Sequence, residues 1–252
     1  MKWQSKQIYG LILVFLLLVN CPVSASVVNL LATWDMNAES AGVVSEVSGN
    51  GRDLNLMNGA YITSGGQGFS GEALYLDYAA GFDGSRAVST NFWPSDSGSF
   101  HVEMKVKPLS FGGSQSTWAQ ICHISNLVSL QVRGDGFVRF LGYDASNGFT
   151  TLLLPKTTLQ LNQWNEVAAT IDLDGSMQVV WNGNEYNGVL PNGLIQYTGT
   201  RTVIFGGTGG THNFNGLIDE VKVGVMAAIP EPATAALLGL GALGLLNRKH
   251  KA

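Results

Sequence analysis

The sequence predicts an all-β protein whose body is a two-sheet antiparallel sandwich, and three observations carry that prediction. Residues 99–107 alternate without fault, with Phe100, Val102, Met104 and Val106 on one face and His101, Glu103, Lys105 and Lys107 on the other. This is the period of a strand with one buried side. About ten short apolar stretches of this kind follow one another, and hardly any helical period interrupts them. The 32 glycines among 252 residues supply the turns that many short strands require.

The first element stands apart from the sandwich. Lys2 and Lys6 precede an apolar run over residues 8–19, and Val23-Ser24-Ala25 puts small residues at the minus-three and minus-one positions of a cleavage site. Residues 1–25 therefore read as the helix of a secretory signal peptide, cut after Ala25. A lipoprotein signal using Cys21 is the alternative, although Asn20 stands where such a signal needs a small residue. Residues 26–225 are the sandwich domain, with strands predicted over 30–35, 73–77, 99–107, 117–124, 128–133, 137–140, 164–171, 177–181, 202–205 and 218–223. Gly134-Asp135-Gly136 closes one hairpin, and Asp172-Leu173-Asp174-Gly175 closes a second. The second turn lacks the further acidic positions and the closing Glu of an EF-hand loop, so it reads as a turn and not as a calcium site. Trp164 is expected to plug the core between the sheets.

Residues 226–252 form a linker and a terminal signal. Pro230-Glu231-Pro232 is followed by an apolar run over 233–246 and then by Arg248, Lys249 and Lys251. The run is 14 residues long, about 21 Å as a helix, against a hydrocarbon core of about 30 Å. It is marginal as a permanent anchor, and the basic tail would hold the C-terminus on the cytoplasmic side. An ordinary short anchor lengthened by residues 226–229 is the alternative. The tripeptide, apolar helix and basic end together resemble the PEP-CTERM sorting signal of exosortase-bearing Gram-negative bacteria. The resemblance implies export, transient insertion in the inner membrane, processing near Pro230, Glu231 and Pro232 by an exosortase-type enzyme, and delivery to the cell envelope or an exopolysaccharide matrix. In it, Arg248 and Lys249 supply the basic end.

Composition narrows the function of the domain. Setting aside Lys2, Lys6, Arg248, Lys249, Lys251 and Glu231 leaves 9 basic against 17 acidic residues, a net charge of −8. An acidic body without a run of Lys or Arg argues against nucleic acid as a partner. Once Cys21 leaves with the signal, Cys122 stands alone, so no internal disulfide can form and the domain must rest on its core. Cys122 lies between Ile121 and His123 and reads as a buried small hydrophobe. His101, Cys122, His123 and His212 show no metal-ligand spacing.

Six stretches occur in a familiar order: Ala32-Thr33-Trp34-Asp35, Val47-Ser48-Gly49-Asn50-Gly51-Arg52-Asp53, Gly71-Glu72-Ala73-Leu74-Tyr75-Leu76-Asp77, the strand from Phe100 that ends in Lys107-Pro108, Asn162-Gln163-Trp164-Asn165, and Gly216-Leu217-Ile218-Asp219-Glu220-Val221. The set resembles the laminin-G-like, concanavalin A-like jelly-roll family and spans nearly the whole domain. The resemblance implies that the closing strand pairs with the opening one, which would bring Asp219 towards the turn at 48–53. Some members carry a structural calcium ion there, and Asp219, Asn50 and Glu46 are the residues in position to serve as its oxygen ligands. Plain hydrogen bonding of a loop to a strand is the alternative.

The same architecture hosts glycoside hydrolases, which need two carboxylates flanking the scissile bond. The Glu-x-Asp-x-x-Glu run of the relevant families is absent, as is a Gly-x-Ser-x-Gly elbow. The protein is accordingly expected not to be an enzyme. Sugar binding uses aromatic faces beside polar loops, and Trp118, Tyr143 and Trp181 are the candidates, with Trp93 and Phe149 behind them. Asn147, Asn182 and Asn184 read as ordinary loop residues. The expected role is an exported carbohydrate-binding or adhesion module with extracellular polysaccharide as its partner. A structural matrix protein without a specific ligand is the alternative, and a glycoside hydrolase-like enzyme a more distant one.

Overall fold

A computed structural model of the chain describes residues 26–77, 84–90, 99–110, 117–146, 148–195, 200–207 and 213–228. The signal helix over 1–25, the apolar helix over 233–246, Pro230, Glu231, Pro232, Arg248 and Lys249 lie outside them, as do Trp93, Asn147 and His212. The strands lie within the unit Val28–Met226 except at the outer ends of the first and last.

In chain order the strands begin with β1 (Ser26–Trp34), β2 (Glu39–Ser40), β3 (Val43–Val44), β4 (Leu54–Met57), β5 (Tyr61–Ile62), β6 (Leu74–Leu76), β7 (Arg86–Ser89) and β8 (Phe100–Ser110). They continue as β9 (Trp118–Ile124), β10 (Val128–Arg133), β11 (Val138–Tyr143), β12 (Phe149–Leu154), β13 (Asn165–Ile171), β14 (Ser176–Trp181), β15 (Asn184–Val189), β16 (Val203–Gly206) and β17 (Asn215–Ala228). A 3₁₀ turn at Lys156–Thr158 is the helical element among the described residues. Sheet A has the order β15-β14-β13-β8-β17-β6-β5, with β1 also paired to β17, and sheet B the order β12-β11-β10-β9-β16-β7-β4-β3-β2. The ladders linking β2 through β17 are antiparallel. The protein is thus an all-β, two-sheet jelly-roll sandwich whose first and last strands meet, as predicted.

Every predicted strand is present, and the ones not predicted are short or end in turns of a recognisable kind. β14 and β15 are joined by Asn182-Gly183, both with positive φ (49° and 77°). That is the backbone of a two-residue hairpin turn, for which Asn-Gly is the strongest local signal. Pro108 sits inside β8, where it has no N–H for the ladder; there the register with β17 shifts, Asn215 facing Ser110 and Gly216 facing Pro108.

The core lies between the sheets. Trp34, Trp181, Phe100, Phe140, Phe205 and Phe214 are fully buried, and Trp34 of sheet A meets Phe205 of sheet B edge to face at 5.8 Å. Both indoles find acceptors: Trp34 Nε1 donates to the Arg52 carbonyl (3.0 Å) and Trp181 Nε1 to Asn165 Oδ1 (3.2 Å). Two expectations are corrected here. Trp164 is only half-buried and does not plug the core, because the buried side of β13 is Asn165, Val167, Ala169 and Ile171 and Trp164 is out of phase with it. Trp181 is no surface platform, because it shares the buried side of β14 with Met177 and Val179.

Candidate functional site

The outer face of sheet A carries a row of side chains that runs across the strands. Tyr61 of β5 lies opposite Tyr75 of β6, Tyr75 opposite Leu217 of β17, and Leu217 opposite Lys107 of β8. Asn165 of β13 pairs with Val106, so Trp164, one residue earlier, continues the row beside Lys107. Five strands at about 4.8 Å spacing make a line of about 19 Å. The Tyr61 and Tyr75 rings are 4.9 Å apart and inclined by 37°. All five side chains line an open groove of about 510 Å³, together with Leu109 and the loop residues Gly66, Gln67 and Gly68.

The loop between β5 and β6 forms the groove's upper wall and is pinned from below. Thr63 closes its base, its N–H donating to the Ala73 carbonyl (2.8 Å) and its Oγ1 accepting from the Ala73 N–H (2.9 Å). Asp219 Oδ2 accepts the N–H groups of Phe69 (2.8 Å) and Ser70 (3.1 Å), and its Oδ1 accepts that of Glu220 (2.7 Å). Asp219 is fully buried. Burial raises its carboxyl above the ordinary value, against the three N–H groups that favour its charged form. It sits at a bulge where Glu220 has φ 49° and the register with β8 shifts between Asp219 and Lys222. Phe69, so held, packs edge to face on Trp164 at 6.0 Å, and Lys105 Nζ lies 4.6 Å above the Phe69 ring.

Beside the groove a smaller depression of about 250 Å³ is lined by Glu103, Lys105, Glu166, Glu220 and Lys222. Glu103 accepts from Lys222 (3.2 Å) and bonds His101 (3.1 Å), and Lys105 pairs with Glu166 (2.5 Å). Partial burial alone would raise the Glu103 carboxyl, but the bonds from His101 and Lys222 outweigh it and hold the group below its ordinary value. A glycosidase needs one carboxyl kept protonated opposite one kept ionised. Here two of the three carboxylates are matched by lysines, which suits a charge-balanced surface and not proton transfer.

In the described geometry the expected calcium ligands are engaged by N–H donors, the plain loop-to-strand hydrogen bonding that the sequence offered as the alternative. Glu46 accepts the N–H groups of Thr33 (3.1 Å), Ser48 (2.6 Å) and Asn50 (2.6 Å) as well as the Ser48 hydroxyl. Partial burial would raise its carboxyl, but these bonds lower it overall. Asn50 Nδ2 donates to the Leu31 carbonyl (2.9 Å), which Arg52 Nη1 also approaches. A hard cation needs about six to eight oxygen ligands, whereas these oxygens face N–H donors and a guanidinium. Asp219 serves a different loop. Among the described residues no group of three or more His, Cys, Asp and Glu is placed to hold a metal.

The three ligand-binding candidates do not converge. Trp181 is in the core, while Trp118 of β9 and Tyr143 of β11 are half-buried on sheet B, the latter 6.3 Å from Phe149. Tyr61, Tyr75 and Trp164, which do line one groove, were legible only in part. Alternation puts Trp164 on the side of Glu166, but nothing local joins residue 61 to residue 217.

The family model for the concanavalin A-like lectin/glucanases superfamily matches residues 82–225, and the model for the PEP-CTERM protein-sorting motif matches residues 228–251. No curated protein sequence matches. Among solved structures, the chain is similar to the botulinum neurotoxin serotype D ligand-binding domain in complex with N-acetylneuraminic acid, at 14% identity and TM-score 0.58, over 78% of this chain and 47% of that one. It is also similar to the binding domain of Paraclostridial Mosquitocidal Protein 1, at 13% identity and TM-score 0.61, over 83% of this chain and 51% of that one. The chain thus spans about half the length of these two binding domains. A third similar structure, domain 4 of the GH43 extracellular arabinanase AbnA from Geobacillus stearothermophilus in complex with arabinotriose, matches at 18% identity and TM-score 0.56, over 82% of this chain and 98% of that one. At these identities the likeness is one of fold. With the first match covering more than half of its length, the chain belongs to the concanavalin A-like lectin/glucanases superfamily.

Proposed function

We propose that this protein is an exported, non-catalytic carbohydrate-binding module, carried by its PEP-CTERM signal to the cell envelope or the exopolysaccharide matrix. The observation that carries the reading is the row Tyr61, Tyr75, Leu217, Lys107 and Trp164 in one open groove. An aromatic face, electron-rich at its centre, takes the polarised C–H groups of a pyranose. Lys107, Gln67 and the tyrosine hydroxyls offer the few hydrogen bonds that orient a ligand in such a cleft. A line of about 19 Å suits several linked sugar rings better than one. The ligands in two similar structures, N-acetylneuraminic acid and arabinotriose, agree in chemical class. Processing by an exosortase-type enzyme after transient insertion in the inner membrane belongs to the same reading.

The test is a glycan array and an exopolysaccharide pull-down with the exported protein, with calcium and with a chelator. Saturable binding is expected, and Tyr75→Ala or Trp164→Ala should weaken it about tenfold or more, as losing an anchor of over about 1.4 kcal/mol does. Because the row contains no carboxylate, the chelator should leave binding unchanged. A folded protein that binds nothing under either condition would make it a structural matrix protein instead.

A further inference from the structure

On the outer face of sheet B two arginines are treated differently by their neighbours. Trp118 lies opposite Arg133, and Gln131 lies between Gln120 on one side and Arg139 on the other. The guanidinium carbon of Arg139 is 4.0 Å from the centre of the Trp118 ring, and that of Arg133 is 5.1 Å from it. Arg133 also lies 4.6 Å over Phe137, and its charge is matched side-on by Asp135, Nε to Oδ1 and Nη2 to Oδ2 both at 2.8 Å. Arg139 has no such match. Its Nε donates to Gln131 Oε1 (2.7 Å), Gln131 Nε2 donates in turn to Ser129 Oγ (2.8 Å), and among the described residues no carboxylate pairs with it.

The consequence is a guanidinium whose carbon lies over the indole and whose Nε is held by Gln131. Its two terminal amino groups are left as parallel donors, the geometry that matches a planar oxyanion bidentately. Half-burial and the charge of Arg133 disfavour the cation left alone, so an incoming anion relieves a repulsion. Directly across the ladder on edge strand β12 stands Leu153, 51% exposed, which offers an apolar contact beside the charge. An isolated cation with an apolar neighbour suits a single carboxylate on an otherwise uncharged sugar ring.

We propose that Arg139, held by Trp118 and Gln131, is a second glycan subsite on sheet B that takes the carboxylate of a uronic-acid residue. It stands apart from the groove on sheet A, and only the choice of a glycan as the carrier of the carboxylate rests on the carbohydrate-binding reading.

The test uses the full exported protein and four probes: oligogalacturonate, a sulfated dextran oligomer, a neutral dextran oligomer and inorganic phosphate. Oligogalacturonate is expected to bind, more weakly as salt is raised. Arg139→Gln should reduce that binding by about tenfold or more. Arg139→Lys, which keeps the charge and loses the fork, should reduce it by an intermediate factor, with an unchanged melting temperature confirming its fold. The loss caused by Arg139→Gln should persist in a Tyr75→Ala background, which separates this subsite from the groove. The proposal is overturned if oligogalacturonate fails to bind, if Arg139→Lys equals wild type, or if sulfate or phosphate binds at Arg139 in preference to the carboxylate.

Discussion

Trp164 and Asn165 are neighbours in the chain and face opposite sides of sheet A, and the polar one is inside. Asn165 is fully buried because its amide is used at both ends. Nδ2 donates to the Gln163 carbonyl (2.8 Å), and Oδ1 accepts from Trp181 Nε1 (3.2 Å) and Asn182 Nδ2 (3.0 Å). Cys122 shows burial of another kind: 2% exposed and surrounded by apolar atoms, its thiol is pushed up to about 12. In the native protein a thiol reagent should therefore leave Cys122 unmodified until denaturant is added, and reductant should not move the melting temperature; fast labelling of folded protein would refute the first point and a reductant-dependent melting temperature the second. Glu46 makes a pH-dependent contribution. Its folded carboxyl lies below the ordinary 4.5, so the stability it adds is present above that value and is lost as pH falls through the folded one. Glu46→Ala should cost about 1 kcal/mol at neutral pH, and urea melts should show the gap to wild type closing below pH 4.5. A gap that is the same in acid would sink the assignment.

At the scale of the element, β17 gives up regular pairing at its bulge and in return holds the loop between β5 and β6. Because Asp219 serves two N–H groups of that loop, Asp219→Ala should destabilise the protein by about 2–3 kcal/mol and weaken glycan binding at the groove. Gly68→Ala separates the two effects. A Cβ there would stand 2.0 Å from the Glu72 carbonyl oxygen, so the loop must shift while the core stays intact. The expected outcome is a near-normal melting temperature with groove binding lost. Retained binding in a folded Gly68→Ala protein would mean that the loop is no part of the site. Of the strands that sequence reading missed, the shortest have a common cause. β2, β3 and β5 are two residues each, too short for alternation to register, whereas β15 could have been found from the Asn182-Gly183 turn.

For the whole molecule, the body and the C-terminal motif are separable: the sandwich carries the two proposed binding faces, aromatic groove and guanidinium subsite on opposite sheets, and residues 228–251 match the PEP-CTERM protein-sorting motif. Replacing Pro230, Glu231 and Pro232 with Ala should leave an unprocessed precursor in the inner membrane fraction without changing the glycan binding of the solubilised protein. Normal processing and release of that variant, followed by immunoblot of membrane and medium, would reject the sorting role.

The sequence by itself determined the all-β class, most of the longer strands, the acidic body and the terminal sorting motif. These follow from local patterns, since a period of two or a run of apolar residues is visible within a few positions. What only the tertiary structure decided is the site. Residues 61, 75, 217, 107 and 164 become a row because four ladders happen to share one register, and Asp219 turns from an expected cation ligand into a loop pin because of where a bulge falls. Cross-strand register is a property of distant partners, so no window along the chain contains it.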